Sequence, residues 1–296
     1  MRIRNTKRYG IGKLYPSKEE FLASPVAGGL HTIQAGNLLI DLLIKDRGAA
    51  TTLVFFHASV TKNSTFPVLI GDGMARAAQA NLISVSDPVL AYSDSVRLGW
   101  FIGVKPIGSF PDYAKPLLLH AVKGLGAQRT ILGGSSGGGY AALNFSRFFQ
   151  ESAVLCINPR LHLGARPFPK LGHFISQAYR ASGPTQYSRL KSTYVTEDLG
   201  TLFQDGFTNH VGLLQNSGDT DYYEGQFLPF TTALSSDPKL WVRLDEIGDG
   251  HVPYPKSILH HTFKTLSNTS LTIPEAFEKS GFERGSSGFG VRSGVR

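Results

Sequence analysis

The sequence predicts an α/β fold: a mostly parallel sheet flanked by helices, with a cap inserted between two of its strands. Three observations support this prediction. Short apolar runs typical of buried strands alternate with helical stretches. A glycine- and serine-rich turn joins one of these strands directly to a helix, and acidic and histidine residues follow the last two strands. The 296 residues, 41% of them hydrophobic, suit one large α/β domain or two small ones.

The predicted strands begin with an antiparallel pair, His31–Ala35 and Leu38–Lys45, joined by a turn at Gly36. The continuous apolar run Thr52–His57 is typical of a strand buried on both faces. The alternation that follows indicates parallel strands joined by helical crossovers. The further strands are Leu82–Ser86, Thr130–Gly133, Ala153–Asn158, Val211–Asn216 and Leu240–Leu244, and the helices are Gly73–Ala80, Pro116–Lys123 and Tyr140–Phe149.

The domain boundaries are predicted from the two ends and from one long interruption. Residues 1–29 form a basic N-terminal extension, residues 30–265 form the domain, and residues 266–296 form a C-terminal segment. The last 16 residues of that segment are rich in Gly, Ser and Arg, and we expect them to be disordered. Between residues 159 and 209 the pattern contains no convincing strand. A structureless loop of that length is rare, so we expect a cap of short helices; an ordinary crossover helix with long connections is the alternative.

The net charge of +8 is concentrated at the ends of the chain. Residues 1–18 contain six basic residues and no acidic ones, whereas residues 19–280 contain 21 of each kind. A nucleic-acid-binding face would carry its positive charge on the folded body. We therefore predict no nucleic-acid partner, and we interpret the basic N-terminus as a surface arm.

The composition also bears on redox chemistry and on membranes. The single cysteine, Cys156, excludes a disulfide framework and a cysteine-based zinc site. The apolar run over residues 38–44 is too short to cross a bilayer and contains a charge. No apolar segment of the kind found in secretion signals follows the basic N-terminus. These patterns predict a cytoplasmic location without integral membrane association, and they give no prediction of the oligomeric state.

The strongest chemical signal is the turn GSSGG over residues 134–138. It fits the pattern G-x-S-x-G, centred on Ser136 or, one register earlier, on Ser135, and it lies between a predicted strand and a predicted helix. A nucleophile raised on such a sharp turn has a strained backbone, which small neighbours tolerate. A P-loop would need Lys where Tyr140 stands, and a dinucleotide site would need an acid about 20 residues further on. A nucleophilic serine is therefore the preferred interpretation.

A nucleophilic serine needs a histidine base, and the base needs an acid that orients it. His251 is the preferred base because it lies in a loop bounded by Gly and Pro after the last strand, whereas His260 and His261 lie in a predicted helix. The acid is expected after the preceding strand. Asp219 comes first after the glycine turn there, and Asp221 is the alternative.

Taken in chain order, Ser136, Asp219 and His251 resemble the catalytic triad of the α/β-hydrolase superfamily, and the resemblance spans residues 30–265. It implies the α/β-hydrolase fold and a nucleophile at Ser136, with Ser135 as the alternative. In such enzymes one oxyanion donor is the N–H after the nucleophile, which here belongs to Gly137.

The resemblance implies a second oxyanion donor in the loop after an early strand. The matching segment is His57-Ala58-Ser59, so the donor is the N–H of Ser59. His57 and Ala58 are expected to line the site. Ala58 stands where the family usually has Gly, which affects the geometry of this loop.

The implied activity is that of a serine hydrolase that cleaves a small-molecule carboxylic ester through an acyl-enzyme. The alternatives are a peptidase, amidase or acyltransferase with the same triad, and a hydrolase-like protein that only binds. No metal or organic cofactor is expected. We also expect a chain without residues 1–18 to keep its turnover of a small neutral ester. Aromatic and basic residues of the cap favour a medium-sized polar or anionic ester: Arg160, His162, Arg166, Phe168, Phe174, Tyr179 and Arg180.

Overall fold

A ten-stranded sheet organises residues 2–285, which are the residues that the computed structural model describes. The strands of the described residues are β1 (Gly12–Tyr15), β2 (Gly29–Ala35), β3 (Leu38–Lys45), β4 (Thr51–Phe56), β5 (Asn81–Val85), β6 (Gly103–Val104), β7 (Gly108–Ser109), β8 (Arg129–Ser135), β9 (Ala153–Ile157), β10 (His210–Asn216), β11 (Leu240–Asp245) and β12 (Glu283–Arg284). β6 and β7 form a separate two-stranded sheet, and the other ten strands form the large one.

Helices cover the two faces of this sheet and its carboxyl edge. They are α1 (Lys18–Ala23), α2 (Asp72–Ala77), α3 (Val89–Tyr92), α4 (Phe110–Gly124), α5 (Gly137–Ser146), α6 (Leu171–Tyr179), α7 (Pro184–Tyr194), α8 (Leu199–Leu202), α9 (Thr220–Tyr222), α10 (Leu228–Ala233), α11 (Lys256–Ser267) and α12 (Ile273–Lys279). A 3₁₀ turn covers Lys7–Tyr9, and a π-helical turn, Tyr223–Phe227, joins α9 to α10.

The order of the strands in the sheet is β1-β2-β3-β5-β4-β8-β9-β10-β11-β12. All neighbours from β5 to β11 are parallel. Within this sheet the antiparallel pairs are β2–β3, β3–β5 and β11–β12. The mostly parallel sheet flanked by helices that the sequence predicts is therefore confirmed.

Burial explains why the central strands have continuous apolar sequences. Every residue of β4, β5 and β9 is buried, because helices pack on both faces of the sheet there. The predicted antiparallel pair is also present as β2 and β3, and Gly36 between them has the positive φ of +60° that a tight turn requires. One apolar cluster contains Phe56 and Tyr140, and another contains Trp241 and Phe277.

The carboxyl ends of the parallel strands meet along one edge of the sheet. The register pairs Gly134 of β8 with Cys156 of β9, and Asn216 of β10 with Asp245 of β11. The loops that leave these four strands are therefore neighbours in space, and loops at this edge carry the ligand sites of open α/β sheets.

The segment between β9 and β10, where the sequence predicts a cap over residues 159–209, contains α6, α7 and α8 and no strand. Phe174 of α6 packs edge to face on Trp100, with ring centroids 5.7 Å apart. Tyr179 at the end of α6 stacks on Tyr194 of α7. These contacts set α6 against the loop that precedes β6.

The N-terminal residues pack on the domain instead of forming a surface arm. Arg4 pairs with the buried carboxylate of Asp41 through two 2.6 Å contacts, and β1 extends the sheet beside β2. Arg2 is only 8% exposed. Its guanidinium donates to the carbonyl oxygens of Thr61, Lys62, Ser64, Asp94 and Val96. The domain boundary predicted at residue 30 therefore falls inside the sheet. The charge count cannot show the acceptors of these basic residues, which are loop carbonyls and one buried carboxylate.

The predicted disorder of residues 281–296 falls largely outside the described residues, which end at residue 285. Within the described part, Glu283–Arg284 forms β12 on the outer side of β11. Helix α12 before it begins with a capping box, in which Thr272 and Glu275 satisfy each other's backbone N–H groups. Over residues 2–285, no helix has the length and apolar character needed to cross a membrane.

Candidate active site

Ser136 lies at the turn between β8 and α5, with φ +52° and ψ −116°. A positive φ is strained for a residue with a side chain. The glycines around it are required by close packing: a Cβ on Gly134 would lie 2.2 Å from the carbonyl oxygen of Gly138, and one on Gly138 would lie 2.4 Å from that of Phe56. Ser135, in contrast, is the last residue of β8 and pairs with β9. The strained turn is therefore centred on Ser136.

An acid and a histidine meet after the last two parallel strands of the sheet. Asp219 follows β10 and is 2% exposed, and its Oδ2 lies 2.5 Å from Nδ1 of His251, which follows β11. This contact orients the imidazole with its Nε2 atom free for another partner. Asp221 is exposed at the surface, and His260 and His261 lie within α11.

Asn216, at the end of β10, ties the acid loop to the histidine loop. Its side-chain amide donates to the carbonyls of Gly248 and Gly250 at 2.7 and 3.0 Å. Its side-chain oxygen accepts from the N–H groups of Gly218 and Ile247 at 3.1 and 3.0 Å. All four hydrogen-bonding positions of this buried amide are thus used. Asn216 is not among the residues predicted from the sequence, although its place at the carboxyl end of β10 was a signal.

Tyr222 contacts both the serine and the histidine. Its hydroxyl is 3.4 Å from Ser136 Oγ, and its ring stacks on the imidazole of His251 with centroids 4.0 Å apart. Ser136 lines one cavity and His251 lines another, and Tyr222 lines both. Within the described residues no hydrogen bond joins Ser136 to His251. The structure therefore brings Asp219 and His251 together, and it has Tyr222 where the serine and histidine would meet.

Of the two predicted oxyanion donors, Gly137 adjoins Ser136 in the chain and Ser59 shares a cavity with it. Gly137 is the first residue of α5, so its N–H has no acceptor within the helix. Ser59 is exposed and lines the same cavity as Ser136.

His57 and Ala58 do not line this cavity, contrary to the prediction. His57 is 1% exposed. Its Nδ1–H donates to the carbonyl of Ala58 at 2.7 Å, and its Nε2 accepts from the N–H of Asp87 at 3.0 Å. Burial lowers the pKa of His57 to about 4, so the ring is neutral. Its role is to hold the loop that carries Ser59.

Asp87, buried after β5, supports a second loop that lines the cavity. Its carboxylate accepts from the N–H groups of Gly99 at 2.7 Å, Val89 at 3.1 Å and Phe101 at 3.2 Å. Burial raises the pKa of Asp87 to about 6. The loop that it holds carries Trp100, whose φ of +49° is another strained position beside the site.

The cavity beside Ser136 has a volume of about 540 Å³. Four basic side chains line it, and no acidic one does: they are Arg97, Arg160, Lys170 and His173. Of the cap residues that the sequence analysis named, Arg160 and Phe174 reach this cavity. Arg160 follows β9, and its guanidinium donates to the carbonyl of Pro167 at 2.7 Å and to the hydroxyl of Tyr222 at 3.0 Å.

Metal ligation has no support in the part of the chain that the structure describes. Residues 2–285 contain no group of three or more His, Cys, Asp or Glu side chains placed to hold an ion. The buried Cys156 sits in β9, where burial raises the pKa of its thiol.

Comparison with known proteins finds no matching family model and no matching curated protein. Solved structures match in fold. A capsule O-acetyltransferase of Neisseria meningitidis serogroup A, a mutant in complex with CoA, has a TM-score of 0.58 and 13% identity, covering 83% of this chain and 97% of its own. An S-formylglutathione hydrolase from Agrobacterium tumefaciens has a TM-score of 0.53 and 13% identity, covering 86% of this chain and 95% of its own.

A third structure, prolyl oligopeptidase B from Galerina marginata, has a TM-score of 0.52 and 14% identity. The match covers 91% of this chain but 37% of that much longer one. At these identities the similarity establishes the fold and not the reaction. The hydrolase, the oligopeptidase and the acetyltransferase share one fold, and this chain therefore has the α/β-hydrolase fold.

Proposed function

We propose that this protein is a serine hydrolase that cleaves carboxylic esters through an acyl-enzyme on Ser136. The observation that carries the proposal is the strained Ser136 turn at the same sheet edge as the 2.5 Å contact between Asp219 and His251. A strained serine between a strand and a helix is the arrangement of a nucleophile. A buried carboxylate on a histidine is the arrangement of a base with a fixed tautomer.

In the proposed reaction Ser136 Oγ attacks the acyl carbonyl carbon while Nε2 of His251 takes the hydroxyl proton. Asp219 keeps the Nδ1–H of the imidazole oriented and stabilises the imidazolium. The N–H groups of Gly137 and Ser59 stabilise the oxyanion, each such donor being worth about 3 kcal/mol. The imidazolium then protonates the leaving alcohol, and a water molecule activated by His251 hydrolyses the acyl-enzyme. For this reaction the side chain of Tyr222 has to move away from Ser136, so that the imidazole of His251 can reach the serine hydroxyl.

The test is labelling with a fluorophosphonate probe, together with turnover of 4-nitrophenyl acetate and butyrate. We expect the wild-type protein to be labelled and to turn over the esters. Ser136→Ala should lose both properties, and Ser135→Ala, the neighbouring control, should keep labelling. A wild-type protein without labelling or turnover would support the hydrolase-like binding protein instead, and 4-nitroanilides separate an amidase or peptidase from an esterase.

Acyl transfer to a hydroxyl acceptor is the second candidate. Two observations favour it: the fold is shared with a capsule O-acetyltransferase that was solved in complex with CoA, and the 540 Å³ cavity has room for an acceptor beside a small acyl group. The two activities differ in how the acyl-enzyme is consumed. If glycerol raises the turnover of 4-nitrophenyl acetate and acetylated glycerol accumulates, transfer is supported; if all acetyl groups are recovered as acetate, hydrolysis is supported.

A further inference from the structure

The cavity beside Ser136 is positively charged. Arg97, Arg160 and Lys170 line it, and none of the three forms an ion pair with a carboxylate of the described residues. The partly buried Arg243 elsewhere in the fold does have such a partner, Asp245 at 2.8 Å. The cavity thus has three cationic side chains and no carboxylate partner for them among the described residues.

Of these three residues, Arg160 is the buried one, with 6% exposure. Its hydrogen bonds to one carbonyl and one hydroxyl use two of its five N–H groups, and its Cζ lies 5.1 Å from the centroid of the Tyr222 ring. Arg2, the other buried arginine, donates to five carbonyl oxygens instead. Burying a cation without a compensating charge or a full set of acceptors is costly. Arg160 therefore has unused capacity for an anion, next to the proposed nucleophile.

We propose that Arg160 binds an anionic group of the substrate, a carboxylate or a phosphate, with Arg97 and Lys170 at the exposed rim of the same cavity. This inference rests on the proposed function, since it describes the substrate of that site. A planar guanidinium binds such groups through paired, charge-assisted hydrogen bonds. The charge lies either on the acyl part of the ester or on its alcohol part.

Binding of the anion has a consequence for Tyr222. The hydroxyl of Tyr222 accepts a hydrogen bond from Arg160 and lies 3.4 Å from Ser136 Oγ. A bidentate anion engages two N–H groups of the guanidinium, and it competes with this hydroxyl where one of them is on Nη2. Tyr222 then loses the contact that keeps it beside Ser136, and His251 can reach the serine. An anionic substrate thus promotes the assembly of the site that cleaves it.

Two matched pairs of esters test the proposal and locate the charge. In the first pair, mono(4-nitrophenyl) succinate carries a charge on its acyl part and 4-nitrophenyl butyrate is the neutral member. In the second pair, 4-acetoxybenzoate carries the charge on its alcohol part and its methyl ester is the neutral member. We expect the charged member of one pair to have a kcat/KM about tenfold higher or more. A preference for the neutral member in both pairs would overturn the proposal.

Variants connect the preference to Arg160. Arg160→Gln should lower the ratio of kcat/KM for the charged ester to kcat/KM for the neutral ester by about tenfold, and Arg160→Lys should keep part of this preference. Arg76→Gln, a surface control on α2 whose side chain is 73% exposed, should keep the whole ratio. If Arg160→Gln does not fold, the exposed Arg97→Gln and Lys170→Gln should each lower the ratio at low salt. An unchanged ratio in the folded variants would contradict the proposal.

A binding measurement separates this proposal from the hydrolase proposal. Ser136→Ala protein, which cannot form an acyl-enzyme, is titrated calorimetrically with monomethyl succinate and with dimethyl succinate. We expect the charged ester alone to bind, and the Arg160→Gln change to abolish its binding. This result would stand even if no ester were turned over. Equal binding of both compounds, or binding of neither, would refute the anion site while leaving the labelling of Ser136 unaffected.

Discussion

At the scale of single residues, the backbone strain at Ser136 is offset by hydrogen bonds between its backbone groups and those of other residues. A serine with φ +52° costs on the order of 1–3 kcal/mol. Its N–H donates to the carbonyl of Ile157 at 2.9 Å, and its carbonyl accepts from the N–H groups of Tyr140 and Arg160 at 3.2 and 3.1 Å. These bonds join the serine to β9, to α5 and to the start of the segment after β9. The turn is therefore fixed before any substrate binds.

Asp219 and Asp221 offer a matched pair for testing the acid. In Asp219→Asn the amide donates to Nδ1 of His251 and holds the imidazole in the wrong tautomer, so we expect kcat for 4-nitrophenyl acetate to fall by about 10³- to 10⁴-fold. Asp221 is exposed, and Asp221→Asn should leave kcat within about twofold of the wild type. Equal effects of the two substitutions would argue against Asp219 as the orienting acid.

Tyr222→Phe removes the hydroxyl that contacts Ser136 and Arg160 but keeps the ring on His251. Because one hydrogen bond is worth about 1 kcal/mol, we expect turnover of the neutral butyrate ester to rise by about fivefold. The charged succinate ester should gain less, since its own anion already releases the tyrosine. Tyr223→Phe, on the neighbouring ring that stacks on Phe227, is the control. A fall in turnover of the neutral ester would mean that the hydroxyl assists the reaction.

The positions of Asp219 and His251 could be predicted because carboxyl ends of parallel strands converge, and each residue follows such a strand. Tyr222 and Arg160 could not be paired in this way. Their contact depends on how the segment after β9 folds back over the loop after β10, and no periodicity encodes that packing. One signal was available for Arg160: it comes three residues after β9, at the same edge of the sheet.

At the scale of elements, the ends of β4 and β5 form one support for the cavity. The neutral His57 after β4 accepts from the backbone of Asp87 after β5, and the carboxylate of Asp87 accepts from the loop of Trp100. Both loops that line the cavity from this side, those of Ser59 and Trp100, are thus fixed through one buried pair.

His57 gives this support a defined pH dependence. Its pKa is about 4 in the folded protein, against about 6.5 in an unfolded chain. The unfolded state therefore binds more protons between these values, and the stability that His57 contributes is lost as the pH falls from 6.5 to 4. We expect the free energy of unfolding of the wild type, relative to His57→Gln, to fall by about 3 kcal/mol over this range.

Urea denaturation at pH 4 to 7 measures this difference. Comparing the two proteins at each pH cancels the titration of groups remote from His57, and Asp87, which contacts it and has a pKa of about 6, is present in both proteins. A difference that stays constant with pH, or that grows as the pH falls, would show that His57 is not buried as the neutral ring.

At the scale of the whole molecule, the N-terminal residues connect the sheet to the loops of the site. Arg2 donates to the carbonyls of residues 61, 62, 64, 94 and 96, and the two segments that contain them lie next to Ser59 and Arg97 of the cavity along the chain. Charge counting located the basic residues correctly but could not show their acceptors, which are carbonyl groups and therefore invisible in the sequence. The expectation that residues 1–18 are dispensable for turnover is for this reason not supported by the structure.

Arg2→Ala tests this connection. One buried and several partly buried carbonyls lose their donor, so we expect the free energy of unfolding to fall by about 3 kcal/mol and turnover of 4-nitrophenyl acetate to fall with it. Lys7→Ala, at an exposed position of the same segment, should change stability by less than about 0.5 kcal/mol. If turnover and stability are both unchanged in Arg2→Ala, the N-terminal residues are a surface arm that does not support the site.

The most direct measurement on the proposed enzyme is a crystal structure of the protein after reaction with a fluorophosphonate. We predict phosphorus bonded to Oγ of Ser136, Nε2 of His251 within about 3.2 Å of that oxygen, and the hydroxyl of Tyr222 displaced from it. A phosphonate on another side chain, or an imidazole still separated from Ser136 by the tyrosine ring, would contradict the account.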